Sequence, residues 1–110
     1  MQKVETKADY DAIMDKQKGK NIFIQFSAEW CMACSSIEDD MTELAKSMAN
    51  KMEFLYIDCE NEELEELPDQ FEVSSMPTFV VIKNGAAVDQ CMGTNFDKIK
   101  TFAEKYGAEN

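Results

Sequence analysis

Cys31 and Cys34 stand two residues apart in the segment Ala28-Glu29-Trp30-Cys31-Met32-Ala33-Cys34. Cys31 falls where a helix is predicted to begin. Free backbone N–H groups at such an end favour an anion, so a thiol placed there is acidified toward thiolate near neutral pH. Cys34 lies one turn further on the same side, within reach of a disulfide. This spacing supplies a nucleophile and a thiol that resolves what the nucleophile forms. Two other readings use the same residues: half of a zinc site, which Cys59 and Cys91 would have to complete, or a pair of inert buried thiols. Other chemistries are excluded by composition. The chain has no histidine, and all 11 of its bases are lysine. It therefore has no Ser-His-Asp or Cys-His catalysis, no His-ligated metal and no guanidinium fork for phosphate. A Gly-rich phosphate loop is missing too, so no nucleotide site is expected.

The elements that must position this pair follow from the apolar pattern. Length and composition, 110 residues with 45% hydrophobic and 30% charged, fit a single globular domain over 1–110. A net charge of −11 repels phosphate backbones, so no nucleic-acid partner is expected. No apolar stretch reaches a membrane span, and Met1-Gln2-Lys3-Val4-Glu5 does not read as a signal peptide; a cytoplasmic location is expected. Tyr10, Ile13 and Met14 share a face of a short helix over Ala8 to Lys16, ended by Gly19. Asn21 to Phe26, Glu53 to Ile57 and Thr78 to Ile82 read as strands, buried on both faces. Between the first two, Ile37, Met41, Leu44, Ala45 and Met48 recur at helical spacing. The acidic stretch from Asn61 to Phe71 is interrupted by Pro68, which predicts a turn and then a helix starting near that proline. Asn84-Gly85 is a hairpin signal, returning Ala86 to Cys91 as an antiparallel edge. Phe96, Ile99, Phe102, Ala103 and Tyr106 line a closing helix, with Gly107 as its predicted C-terminal cap. The order is αβαβαββα with a small extra strand near Val4, an α/β arrangement with a mixed sheet covered on both faces. The Cys pair then sits at the carboxyl end of a central strand, where open α/β sheets build their sites.

Nearly the whole chain resembles thioredoxin. The resemblance is carried by Phe26-Ser27-Ala28-Glu29-Trp30-Cys31-x-x-Cys34, Phe54-Leu55-Tyr56-Ile57-Asp58, Met76-Pro77-Thr78-Phe79, Lys83-Asn84-Gly85 and Gly93, in matching order. Phe26-Ser27-Ala28 and Val4-Glu5-Thr6-Lys7 are similar to the animal cytosolic branch. The resemblance implies a thioredoxin fold, a central mixed sheet of four to five strands flanked by about four helices. It implies a protein-disulfide reductase in which Cys31 attacks and Cys34 resolves. Trp30 would flank the site, and Met76-Pro77 would carry a cis peptide facing the disulfide. That peptide would expose the Met76 backbone to an extended substrate segment. Gly93 would rim the groove. No bound cofactor is implied; electrons would come from NADPH through a thioredoxin reductase. The implied partners are protein disulfides and that reductase, with the chain a monomer or a disulfide-linked dimer.

Several positions depart from the family. The usual Gly-Pro between the cysteines is Met32-Ala33 here. Ala33 supplies an N–H that proline lacks, which should stabilise the thiolate and make the disulfide a stronger oxidant than in a typical thioredoxin. Met32 puts a large apolar side chain at the mouth of the site, where it would retune partner choice. The family's buried aspartate corresponds to Gln25, which cannot titrate, so release of substrate by Cys34 should be slower. Locally, Gln25 reads as a hydrogen-bonded buried amide. The residue after the second cysteine is Ser35, where lysine is common. The helix proline corresponds to Asp39, which predicts a reduced kink. Asp58, Glu60, Glu62, Glu63, Glu65, Glu66 and Asp69 read as a solvated face, or alternatively as a docking surface for a basic partner. Cys59 and Cys91 read as small buried hydrophobes, and Met14, Met41 and Met48 as core packing. A rival function comes from the thioredoxin-like domains that precede monothiol glutaredoxin domains, which Val73-Ser74-Ser75-Met76-Pro77-Thr78-Phe79 also resembles. On that reading the chain is a partner-binding adaptor with little redox turnover.

Overall fold

A computed structural model describes residues 1–108. Five strands form one sheet in the order β1-β3-β2-β4-β5. They are β1 (Gln2–Lys3), β2 (Asn21–Ser27), β3 (Met52–Asp58), β4 (Thr78–Lys83) and β5 (Ala86–Met92). Five helices accompany them: α1 (Lys7–Lys16), α2 (Met32–Ser35), α3 (Glu38–Ser47), α4 (Glu66–Gln70) and α5 (Phe96–Gly107), with one 3-10 turn at Glu62–Leu64. β3 runs parallel to both β1 and β2, while β4 is antiparallel to β2 and to β5.

β2 is buried along its entire length, which explains why apolar residues on both its faces dominate the run. Alternate residues face opposite layers. Phe23 packs with Met41, Leu44 and Ala45 of α3 and with Ile99 and Ala103 of α5. Ile22, Ile24 and Phe26 pack on the other face with Tyr10 of α1 and with Leu64 and Leu67. Both layers close over the middle of the sheet, so its C-terminal edge is held from two sides. Asn84 (φ 54°) and Gly85 (φ 82°) both take left-handed backbone, the geometry of a tight hairpin whose twist matches its strands.

Three local expectations need correction. The helix expected near Pro68 begins at Glu66, so Pro68 is its third residue. A first-turn proline loses nothing, because an N–H there has no intrahelical acceptor. The run after Cys31 is not one helix: α2 ends at Ser35, and Ile37 leaves helical backbone at φ −112°, ψ 5°. Consecutive serines turn inward here, Ser35 Oγ donating to the Cys31 carbonyl at 3.4 Å and Ser36 Oγ to the Ala33 carbonyl at 2.6 Å. Such back-bonding competes with the helix ladder. A second helix then starts on the acidic turn Glu38, Asp39 and Asp40. The break thus precedes Asp39 and needs no proline. Finally, Gly107 lies inside α5, whose C-cap is Ala108. A Cβ at this position would meet Met48 Cε at 2.5 Å, the flexible end of a side chain that can turn aside.

Candidate functional site

β2 delivers the chain to the site. Ala28 follows its last residue, and the turn through Glu29 and Trp30 leads to Cys31, the N-cap of α2. Cys31 and Cys34 are joined by a disulfide, with Cα atoms 5.3 Å apart. Each residue is only 6% exposed. The Cys34 N–H donates to Cys31 Sγ at 3.2 Å. The Ala33 N–H adds a second first-turn amide, without an acceptor in its own helix. Sulfur at this position therefore meets the Cys34 backbone donor at a helix N-terminus, the arrangement that favours a thiolate once the disulfide is reduced.

The facing wall comes from the loop before β4. The Met76-Pro77 peptide is cis, and Cys31 Sγ lies 4.0 Å from the Met76 carbonyl oxygen. Met76 packs against the small cluster of Ala28, Cys31 and Cys34. Gly93 takes φ 96° and donates its N–H to the Pro77 carbonyl at 3.1 Å, tying the third loop to the second. Trp30, Met32 and Met92 stand out from this rim at 63%, 86% and 57% exposure. Cys31, Cys34, Trp30, Met32, Ala33, Met76, Pro77 and Gly93 are thus gathered from three loops at one end of the sheet. Gln25 lies beneath them, 4% exposed. Its Nε2 donates to Ser27 Oγ at 2.9 Å, while its Oε1 is buried with no partner. The expected hydrogen-bonded amide is therefore satisfied on one side only.

Cys59 and Cys91 stay away from this pair. Cys59 packs against the α1 and α4 layer, and Cys91 against the α3 and α5 layer. Among the described residues, no three Cys, Asp or Glu gather to hold a metal ion. Burial pushes the Cys59 thiol up to about 11, with Asp58 and Glu60 adding to the effect. Burial also raises Cys91.

Glu60 is a site residue that sequence reasoning absorbed into an acidic run. Its Oε1 accepts from the Trp30 indole N–H at 3.1 Å. Parallel pairing of β2 with β3 sets Ser27 opposite Asp58, and so brings the two strands' following loops side by side. The contact spans 30 residues and leaves no local signal. Met92 was also missed; its sulfur accepts from Ser75 Oγ at 3.3 Å on the same rim.

This geometry is shared. The thioredoxin family profile matches residues 1–105. Thioredoxin 1 of Plasmodium falciparum is 35% identical over 105 residues, covering 96% of each chain. An H-type thioredoxin of rice, Oryza sativa, is 36% identical, covering 91% of this chain and 81% of its own. The crystal structure of Fasciola hepatica thioredoxin superposes with a TM-score of 0.87 at 33% identity, over 96% of this chain and 99% of that one. Deadhead, a germline thioredoxin of Drosophila, superposes at 0.88 with 30% identity, over 96% and 98%. Profile, relatives, fold and the Cys31–Cys34 disulfide coincide along the chain, which belongs to the thioredoxin family of thiol–disulfide oxidoreductases.

Proposed function

We propose that this chain reduces protein disulfides with Cys31 as the attacking thiolate and Cys34 as the resolving thiol. The observation that carries the assignment is the position of Cys31 as the N-cap of α2, its sulfur bonded by the Cys34 N–H and facing the Met76 carbonyl. Cys34 is one turn inside the helix and further from the rim. A substrate cystine lies in the groove between Trp30, Met32 and Ala33 on one side and Met76, Pro77 and Gly93 on the other. Its extended backbone pairs with that of Met76. Cys31 attacks one sulfur, a mixed disulfide forms, and the first substrate thiol leaves. Cys34 then attacks Cys31 Sγ, releasing the second thiol and leaving the disulfide seen here. The dithiol is regenerated by a thioredoxin reductase drawing on NADPH, in the reducing cytoplasm, and the chain works as a monomer. The extra amide of Ala33 sets a midpoint less negative than that of a typical thioredoxin. The adaptor reading has no observation in its favour.

The test compares Cys31→Ser, Cys34→Ser and the double variant on a disulfide-bonded protein such as insulin. Cys34→Ser should accumulate a mixed disulfide seen by mass, and Cys31→Ser should not. Equal capture of partners by the double variant would replace the reductase by an adaptor.

A further inference from the structure

Resolution requires the Cys34 thiol to lose its proton in a place from which bulk water is largely kept. The elements around it carry few groups able to take that proton. Gln25 cannot, yet its unpartnered buried Oε1 marks the spot where a donor is missing. Gln25 borders two cavities of about 180 Å³ each. Cys34 lines the first of them, and Glu38 and Tyr56 line both. A water occupies about 30 Å³ in the liquid, so each cavity has room for several. Water entering this space would give Gln25 Oε1 a donor and would link Cys34 to the carboxylate of Glu38.

We propose that Glu38, at the first position of α3, receives the Cys34 proton through this water during resolution. The inference rests on the assignment of Cys34 as the resolving thiol. The proton passes from Cys34 Sγ to the Glu38 carboxylate. The electron pair left on Cys34 forms the bond to Cys31 Sγ, and the Cys31–substrate bond breaks. The departing substrate sulfur carries away that pair and takes up a proton from Glu38 or solvent. Charge and electrons balance, with the protein dithiol oxidised and the substrate cystine reduced. Glu38 does not touch the sulfur; it acts through solvent as a positioning residue for the proton.

The other residues with titratable groups that line this space are Met1 with its α-amino group, Lys3 of β1, Glu29 of the loop after β2, Tyr56 of β3 and Cys34 itself. Glu29 is the rival carboxylate. Its side chain is 80% exposed and pairs with Lys3 at 3.7 Å, and it borders only the first cavity. Glu38 is exposed too, but its backbone is fixed by a helix whose Met41, Leu44 and Ala45 are buried, and it borders both cavities. Tyr56 is held protonated, because burial and the surrounding Asp58, Glu29 and Glu38 push its phenol up. It serves as a donor rather than a base.

The test follows the reduced full-length protein reacting with Ellman's reagent in two phases. The first is the formation of the mixed disulfide, and the second is release of the remaining aromatic thiol by the resolving cysteine. Cys34→Ser should keep the first phase and lose the second; if Cys31→Ser does so instead, the assignment of the two cysteines is what fails. With that settled, Glu38→Gln should leave the first phase unchanged and slow the second about tenfold near neutral pH. The deficit should close at alkaline pH, where hydroxide can take the Cys34 proton without Glu38. Glu38→Asp should recover part of the rate, Gln25→Asp in the Glu38→Gln protein should recover it from the other side of the cavity, and Glu29→Gln should leave the second phase unchanged. No slowing by Glu38→Gln, or equal slowing at every pH, would overturn the proposal.

Discussion

The first turn of α2 offers Cys31 one bonded backbone amide and a second one nearby. Cys34 N–H bonds its sulfur directly, and Ala33 N–H stands beside it in the same turn. Replacing Ala33 by proline removes one donor while fitting the first turn sterically. The Ala33→Pro protein should therefore be more reducing. A shift of about 30 mV toward −270 mV corresponds to a roughly tenfold change in the exchange equilibrium. Titration against glutathione or dithiothreitol buffers, read by alkylation mass shift, measures it. An unchanged midpoint would mean that the Ala33 amide does not reach the thiolate. Cys59 illustrates the opposite environment. Its thiol is raised from 9.0 to about 11 by burial, so it is almost entirely protonated at neutral pH and should react with iodoacetamide far more slowly than reduced Cys31. Because the folded value lies above the unfolded one, stability from the buried neutral thiol is complete below pH 9 and is lost between 9 and about 11. Cys59→Ala should flatten that alkaline decline in a urea-unfolding series.

At the scale of elements, β5 is an exposed edge strand that needs an anchor. Tyr106 of α5 supplies one by donating its hydroxyl to Asp89 Oδ2 at 2.6 Å. That bond, followed by the Gln90 N–H, holds the Asp89 carboxyl below its usual value of 3.8. A depressed carboxylate contributes stability above the unfolded value and loses it as pH falls through the folded one. Tyr106→Phe keeps the ring contact with Phe102, 5.5 Å between centroids, and deletes only the hydroxyl. It should cost about 1 kcal/mol near pH 7, with less of a difference near pH 3, in paired urea titrations. This link, like Trp30 to Glu60, was invisible in the sequence because it joins separate elements through sheet register. What could be read was local. Asn84-Gly85 announced its hairpin, the nearly all-apolar run Asn21 to Phe26 announced a central strand, and the cysteine spacing announced the site. The break at Ser36 and Ile37 was missed because apolar periodicity continues across it: Ile37 and Met41 are both buried whether or not the helix is whole. Gly107 was misplaced because α5 runs one residue past its apolar stripe, which ends at Tyr106.

The whole molecule adds a long-range term that no single contact contains. A net charge of −11 is carried on a body with a radius of gyration of 12.7 Å. At physiological ionic strength the screening length is about 8 Å, so the rim feels mainly the acids close to it, and the whole-molecule field acts there only at low salt. Close to the rim stand Glu29, with an 80% exposed side chain, and exposed Glu60 bonded to Trp30. The rim residues Trp30, Met32 and Met92 are apolar and exposed. Apolar contact and negative potential together favour a cystine flanked by lysine or arginine and slow one flanked by acids. Two short cystine peptides, identical except for flanking lysines or glutamates, should differ in kcat/KM by about tenfold at low salt. The difference should lie in kcat/KM rather than kcat, because the field acts on encounter. Added sodium chloride should shrink it, lowering the rate for the basic peptide and raising that for the acidic one. A preference that persists unchanged at high salt would assign selectivity to direct contacts with the rim, and Glu60→Gln would then be expected to matter more than net charge.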